Sequence, residues 1–165
     1  MLDQIDQFLI SALQENGRRK KSDLAREIGM SVPAVAERMK KLLEMGVIRG
    51  FTAQIDPRKL GLDVGAVITI ISARSTKYSA VVEQARQHPE VLECMSVTGD
   101  GSHLLIVRTA NTSSLENLLR EIQAWPGVNR TETRLILSHY KQGGPLPVAP
   151  AALKPQQQPK EESEA

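Results

Sequence analysis

Two hydrophobic periodicities divide the chain. In the first 50 residues the apolar positions recur at helical spacing. Ile5, Phe8, Leu9, Ala12 and Leu13 follow the pattern of a one-faced helix, and Asn16-Gly17 ends it. Leu24, Ala25 and Ile28 predict a short second helix, stopped by Gly29 in a left-handed conformation. Ser31 suits the N-cap of a third helix. Pro33 is tolerated in its first turn, where a missing N–H costs nothing, and Val35, Met39 and Leu42 form its buried stripe as far as Gly46. The few residues of Ile28-Gly29-Met30-Ser31 force helices two and three to cross steeply, which is the helix-turn-helix geometry.

From residue 51 the periodicity becomes that of strands. Phe51 to Ile55 reads as a linker strand, and Asp56-Pro57 turns the chain. Val64 to Ala73 is a β-branched, apolar central strand. Residues 77–88 are helical, with Tyr78, Val81, Val82 and Ala85 on one side, and Val91 to Val97 is a second strand. The same order then recurs. His103 to Thr109 is a strand, Ser113 with Glu116 forms a capping box for a helix burying Leu115, Leu118, Leu119 and Ile122, and Val128 to His139 alternates as a long strand. The breakers HPEV (88–91) and WPGV (125–128) fall at equivalent points. Two βαβ halves joined by a tight turn make the ferredoxin-like β-α-β-β-α-β fold. Both helices would cover one face of its sheet, so burial of the other face predicts a homodimer.

The expected architecture is a two-domain α+β protein. A helix-turn-helix (winged-helix-like) domain spans 1–50, a linker strand 51–61, and a ferredoxin-like dimerisation domain 62–141, to which the family resemblance given below adds effector binding. Beyond Tyr140 the composition changes: five of the nine prolines lie there, without aromatics or periodicity, so 142–165 reads as a disordered Pro/Gln-rich tail.

Charge sharpens the division. Residues 1–50 hold nine Lys/Arg against seven Asp/Glu and the remaining 115 hold twelve of each sign, so the whole +2 excess lies in the helical half. Placing Val35, Met39 and Leu42 inward throws Pro33, Ala34, Glu37, Lys40 and Lys41 outward, with Ser31 and Arg38 on the flanks. Small residues near the start of this helix allow close approach to base edges, and basic ones further along reach phosphates. Ser31, Pro33, Ala34, Glu37 and Arg38 are therefore candidates for contact near the bases of double-stranded DNA, and Lys20, Lys21, Lys40 and Lys41 for phosphate contacts. The competing reading is a helical hairpin that packs on another protein. A single cysteine, Cys94, excludes an internal disulfide framework and a Cys-based zinc site, and His88, His103 and His139 lack zinc-ligand spacing. The longest apolar stretch, Val64 to Ser72, is far too short to span a bilayer, and the acids in MLDQIDQFLI do not suit a secretion signal. A cytoplasmic protein without metal or cofactor is expected.

The stretch VTGDGSHLLIV (97–107) gathers two glycines, an aspartate, a serine and a histidine. A phosphate-loop reading fails, because no Gly-Lys-Ser/Thr follows and the next element is a strand rather than a helix N-terminus. A catalytic reading also does poorly, since residues adjacent along a turn rarely converge as nucleophile, base and orienting acid. No enzymatic activity is expected. Asp100-Gly101 is sufficient as a hairpin signal.

The N-terminal pattern carries a family resemblance. LDQIDQFLISALQENGR (2–18), DLAREIGMS (23–31) and VAERMKKLLEMGVIRGFTAQIDPRKLG (35–61) resemble the Lrp/AsnC, or feast/famine, transcription factors almost without gaps. One departure is Lys20, where the family often has a Ser cap; its absence costs of order ~1 kcal/mol locally. The resemblance implies a DNA-binding regulator whose dimers assemble further into octamers. It also implies an amino-acid effector pocket between dimers, lined by a turn of the form G-D-x-D-[YF]. Gly99, Asp100, Gly101, Ser102 and His103 occupy that turn, and Thr131 and Thr133 on the last strand are polar enough to join it. Gly99 and Asp100 match, but Ser102 replaces the second acid and His103 the aromatic residue. A neutral serine does not neutralise an ammonium group, which leaves open an architectural DNA-wrapping protein that ignores metabolites. A second alternative, from another class, is an amino-acid-binding or assembly module whose helical segment only mediates assembly and binds no DNA.

Overall fold

The computed structural model describes residues 2–72 and 78–148. The chain divides into two compact units, residues 1–53 together with the chain from Lys141, and residues 54–140.

In the first unit, α1 (Gln4–Glu15), α2 (Lys21–Ile28) and α3 (Val32–Glu44) follow the predicted spacing. Asp3 caps α1 in a reciprocal box: its carboxylate accepts the Asp6 N–H at 2.8 Å, and Asp6 accepts the Asp3 N–H at 3.2 Å. The α2–α3 turn depends on Gly29, which sits at φ 68° and lets Met30 N–H reach the Ala25 carbonyl at 2.9 Å. Leu9, Leu13, Leu24, Val35, Met39 and Leu42 close around one another as a core of aliphatic side chains.

The second unit carries β1 (Val64–Ser72), α4 (Tyr78–Gln87), β2 (Val91–Ser96), β3 (His103–Thr109), α5 (Thr112–Ala124) and β4 (Val128–Ile136). The strands form one antiparallel sheet in the order β2-β3-β1-β4. Alternation decides which side each residue faces. Ala66, Ile68 and Ile70 of β1 and Leu105 and Val107 of β3 are buried with Val81, Ala85, Leu118 and Ile122 of the helices. Their neighbours Val67, Leu104 and Ile106 are only half-buried and point to the uncovered face. Along β4 that face carries an ionic row, with Arg130 and Arg134 on either side of Glu132 at 2.8 and 3.7 Å.

Several expectations change. Residues 51–55 form no strand, since among the described residues none takes up their backbone groups in a ladder; a 3-10 turn, Pro57–Leu60, follows instead, capped by Asp56. Helix α5 starts two residues earlier than the Ser113/Glu116 box implied. Asn111 is the N-cap and accepts the Ser114 N–H at 2.9 Å, three residues on, as a cap geometry requires. β4 stops at Ile136 rather than His139. The tail does not begin as loose chain at 142, since Leu146 is hydrogen-bonded to Gln14 of α1. Ala73, Lys77, the side chain of Tyr78 and residues 149–165 lie outside the described residues.

Truncating Ile68, which is fully buried under both helices, is expected to cost about 2–5 kcal/mol by leaving a cavity in the central strand. Chemical denaturation of Ile68→Ala against the parent chain measures it.

Candidate DNA-binding surface and effector turn

The exposed side of α3 is built by its own N-cap. Ser31 Oγ accepts the Ala34 N–H at 3.3 Å, which sets the helix start and turns Val35, Met39 and Leu42 into the core. Ser31, Pro33, Glu37, Lys40 and Lys41 are consequently exposed, and Ala34 is half-buried. Lys20 and Lys21, at the start of α2, are exposed too, and Lys20 makes no side-chain cap. Among the described residues Lys20, Lys21 and Lys41 enter no ion pair, whereas Lys40 lies 3.7 Å from Glu44 in its own helix. Val32 is a member of this surface that periodicity missed: it is 44% exposed at the first helical position. The signal was present, because a Ser31 cap places residue 32 on the first turn whatever its hydropathy.

Arg38 differs from the expectation. Its guanidinium donates to Asp3 at 2.7 Å and to Asp6 at 2.9 Å, tying α3 to the first turn of α1. Asp3 is held below the usual carboxylate range, chiefly by the Asp6 backbone N–H and further by Arg38. A cation so engaged braces α3 against α1 inside the unit. The acids concentrated at the chain start therefore consume one of the basic residues, a pairing that sequence separation conceals.

The turn between β2 and β3 divides its residues in two. Thr98, Gly99 and Asp100 are exposed, and Gly99 adopts φ 101°. Ser102 and His103 instead turn inward, at 8% and 2% exposure. The Ser102 hydroxyl lies 2.7 Å from Ser72 Oγ, 3.1 Å from the Ile70 carbonyl and 3.0 Å from His103 Nδ1. Its backbone N–H donates to the same Ile70 carbonyl at 2.8 Å. Ser102 and His103 thus fasten the turn to β1, and burial pushes the imidazole below its ordinary value. Gly101 allows the approach: a β-carbon there would sit 2.4 Å from the Thr69 methyl. Thr131 stands across β1 from His103, both paired with Ile70, and accepts from Gln123 of α5 at 3.3 Å. Thr133 pairs with Ile68, two positions further from the turn, and is exposed. The structure thus gathers Ser102, His103 and Thr131 at one end of the sheet and leaves Gly99 and Asp100 as the solvent-facing part of the turn.

Comparison with known proteins assigns both units. Residues 2–43 match the AsnC-type helix-turn-helix domain and residues 66–146 the Lrp/AsnC ligand binding domain. The chain belongs to the Lrp/AsnC family of transcriptional regulators. It is 36% identical over 147 residues to the HTH-type transcriptional regulator FL11 of Pyrococcus horikoshii, an alignment covering 89% of this chain and 97% of that one. Among solved structures it resembles a feast or famine regulatory protein from M. tuberculosis complexed with L-methionine. That match has a TM-score of 0.81 and 34% identity, and covers 86% of this chain and 96% of the other. A transcriptional regulator of Neisseria meningitidis, also solved with L-Met, matches at a TM-score of 0.82 and 26% identity, covering 89% and 97%. The two-domain architecture and the role as an HTH-type transcriptional regulator are those of the family. Among the described residues, no group of three His, Cys, Asp or Glu is placed to hold a metal, and no helix is long and apolar enough to cross a membrane.

Two outcomes are expected at the turn of this Lrp/AsnC protein. Gly101→Ala destabilises the second unit by about 1–3 kcal/mol through overpacking, and Thr69→Ser, which removes the obstructing methyl, recovers much of the loss in thermal melts. Because the buried imidazole of His103 binds its proton less readily than in the unfolded chain, stability is complete above the ordinary value of 6.5 and declines as pH falls below it. Thermal unfolding between about pH 7.5 and about pH 5.5, the range in which histidine titrates, should show this decline, and His103→Gln should flatten it.

Proposed function

We propose that this Lrp/AsnC regulator reads double-stranded DNA with the N-terminal half of α3. Ser31, Val32, Pro33, Ala34 and Glu37 lie near base edges, and Lys20, Lys21, Lys40 and Lys41 lie on phosphates. The observation that carries the reading is the surface of α3 and the start of α2. Small and polar side chains stand exposed at the N-terminal end of α3, and exposed lysines lie further along it at Lys40 and Lys41 and at the start of α2 at Lys20 and Lys21. Close approach and phosphate attraction need that combination. Arg38 serves as the brace to Asp3 and Asp6.

The protein acts as a homodimer in the cytoplasm, and its dimers assemble further, as octamers or as another closed set. Support for the dimer comes from the sheet face that the helices leave open, where Val67, Leu104 and Ile106 are half-buried and Met95 is 39% exposed. A two-fold dimer selects a pseudo-palindrome with half-sites about 10 bp apart, or a multiple of it.

An amino acid is the effector, and the relatives solved with L-methionine support that class. In this chain Gly99, Asp100 and Gly101 would meet it from the exposed turn, with the Asp100 carboxylate opposite the ammonium group. Ser102 and His103 shape the turn from inside, and Thr131 and Thr133 lie along the neighbouring strand edge.

Lys41→Ala should weaken binding uniformly across operator variants and make the salt dependence shallower by about one unit of slope. A loss confined to one base position overturns the phosphate assignment. Thermal-shift screening against the common amino acids, with and without promoter DNA, tests the effector: a binding amino acid raises the melting temperature. No shift with any of them favours an architectural DNA-wrapping role over a metabolite response.

A further inference from the structure

The DNA-binding unit holds a stretch of chain that none of the DNA contacts uses. Leu146, Pro147 and Val148 form one wall of a groove of about 620 Å3, whose opposite walls include Ile10 and Leu13 of α1 and Val47 and Phe51 beyond α3. The junction is specific. Gln14 Nε2 donates to the Leu146 carbonyl at 3.1 Å, and the Leu146 N–H donates to Gln14 Oε1 at 2.7 Å. One side-chain amide thereby satisfies both backbone groups of one residue, as a neighbouring strand would.

The sequence GGPLPV makes residue 146 the natural point of capture. Pro145 and Pro147 have no N–H, and a residue before proline is held extended, so Leu146 presents the single donor of the triplet in a stiff segment. Gly143, at φ 58°, bends the chain three residues before it. The Leu146 side chain stays 74% exposed while Val148 is half-buried, so backbone capture by Gln14 positions Val148 as the apolar contact.

We propose that the surface presenting Gln14 and Ile10 of α1 with Phe51 is a docking site for an extended Pro-x-Pro segment, that its occupant is the chain's own Pro145–Val148, and that the groove is the space left beside the docked segment. Stiff proline segments lose little entropy on docking into apolar grooves with an aromatic wall, here Phe51. Docking closes residues 54–140 into a loop whose two ends are both held by the DNA-binding unit. That unit is thereby tethered at two points rather than one. No residue of the groove is a proposed DNA contact, so the tether acts without occupying the α3 surface.

Amide hydrogen exchange by NMR on the full chain, on Gln14→Ala and on a chain ending at Tyr140 tests the tether. The Leu146 amide should exchange slowly in the full chain and about tenfold faster in Gln14→Ala, the loss expected from two hydrogen bonds. A synthetic KQGGPLPV peptide should dock on the shortened chain, and the same peptide with Leu146→Pro, lacking the N–H, should not. Exchange at the free-peptide rate in the full chain, or an unchanged rate in Gln14→Ala, overturns the docking site. Refolding the 15N-labelled full chain with excess unlabelled Gln14→Ala separates own-chain from exchanged tails. A labelled Leu146 amide that stays protected supports the intrachain tether, and one that loses its protection would place the tail on a second copy and overturn it.

Discussion

Strand β1 is the constraint on which the second unit depends. It pairs with β3 on one edge and β4 on the other, so its register fixes three strands at once. A slip by one residue would move Ala66, Ile68 and Ile70 out of the helix-covered core and put Val67 and Thr69 in their place. The same register brings the Ile70 carbonyl under the β2–β3 turn, where Ser102 donates to it from both hydroxyl and backbone. The shape of the turn is therefore a consequence of sheet pairing, and Gly101 is required because the Thr69 side chain occupies the space beside it.

The first unit has a comparable dependence on a short turn. Gly29 releases the chain from α2, Ser31 starts α3, and the three buried residues of α3 then determine which others face solvent. Electrostatics refine that surface. Arg38 is drawn to Asp3 and Asp6, and Arg19 to Glu27, so the charges left for a polyanion are mainly lysines at the ends of α2 and α3. The modest net charge of the half conceals this separation, since its acids are placed to fix α1 and brace α3.

Much of the fold was legible along the chain because burial is periodic. Val35, Met39 and Leu42 repeat at helical spacing, and Ala66, Ile68 and Ile70 alternate in an apolar run; both sets are buried. Element ends were less legible where two signals competed. Asn111 and Ser113 are both good caps, and only the approach of the chain from β3 selects Asn111. Residues 51–55 have the composition of a strand, but a strand exists only where another strand takes up its hydrogen bonds. At the β2–β3 turn the residue types were visible and their directions were not. Ser102 and His103 look like exposed polar chemistry in sequence, and their burial follows from the Ile70 and Ser72 groups that receive them, thirty residues away.

The sequence by itself determined the two-part organisation, the helix-turn-helix spacing and the duplicated βαβ order. Each rests on local periodicity, capping residues and breakers, which act over a few positions. Tertiary structure decided which polar residues remain available. Arg38 was assigned to a brace, Ser102 and His103 to the underside of a turn, and Gln14 to the capture of Leu146, because each of these pairings joins residues distant in the chain. A hydrogen bond or ion pair of that kind forms only when folding brings its partners within about 3 Å, and no spacing along the chain encodes that distance.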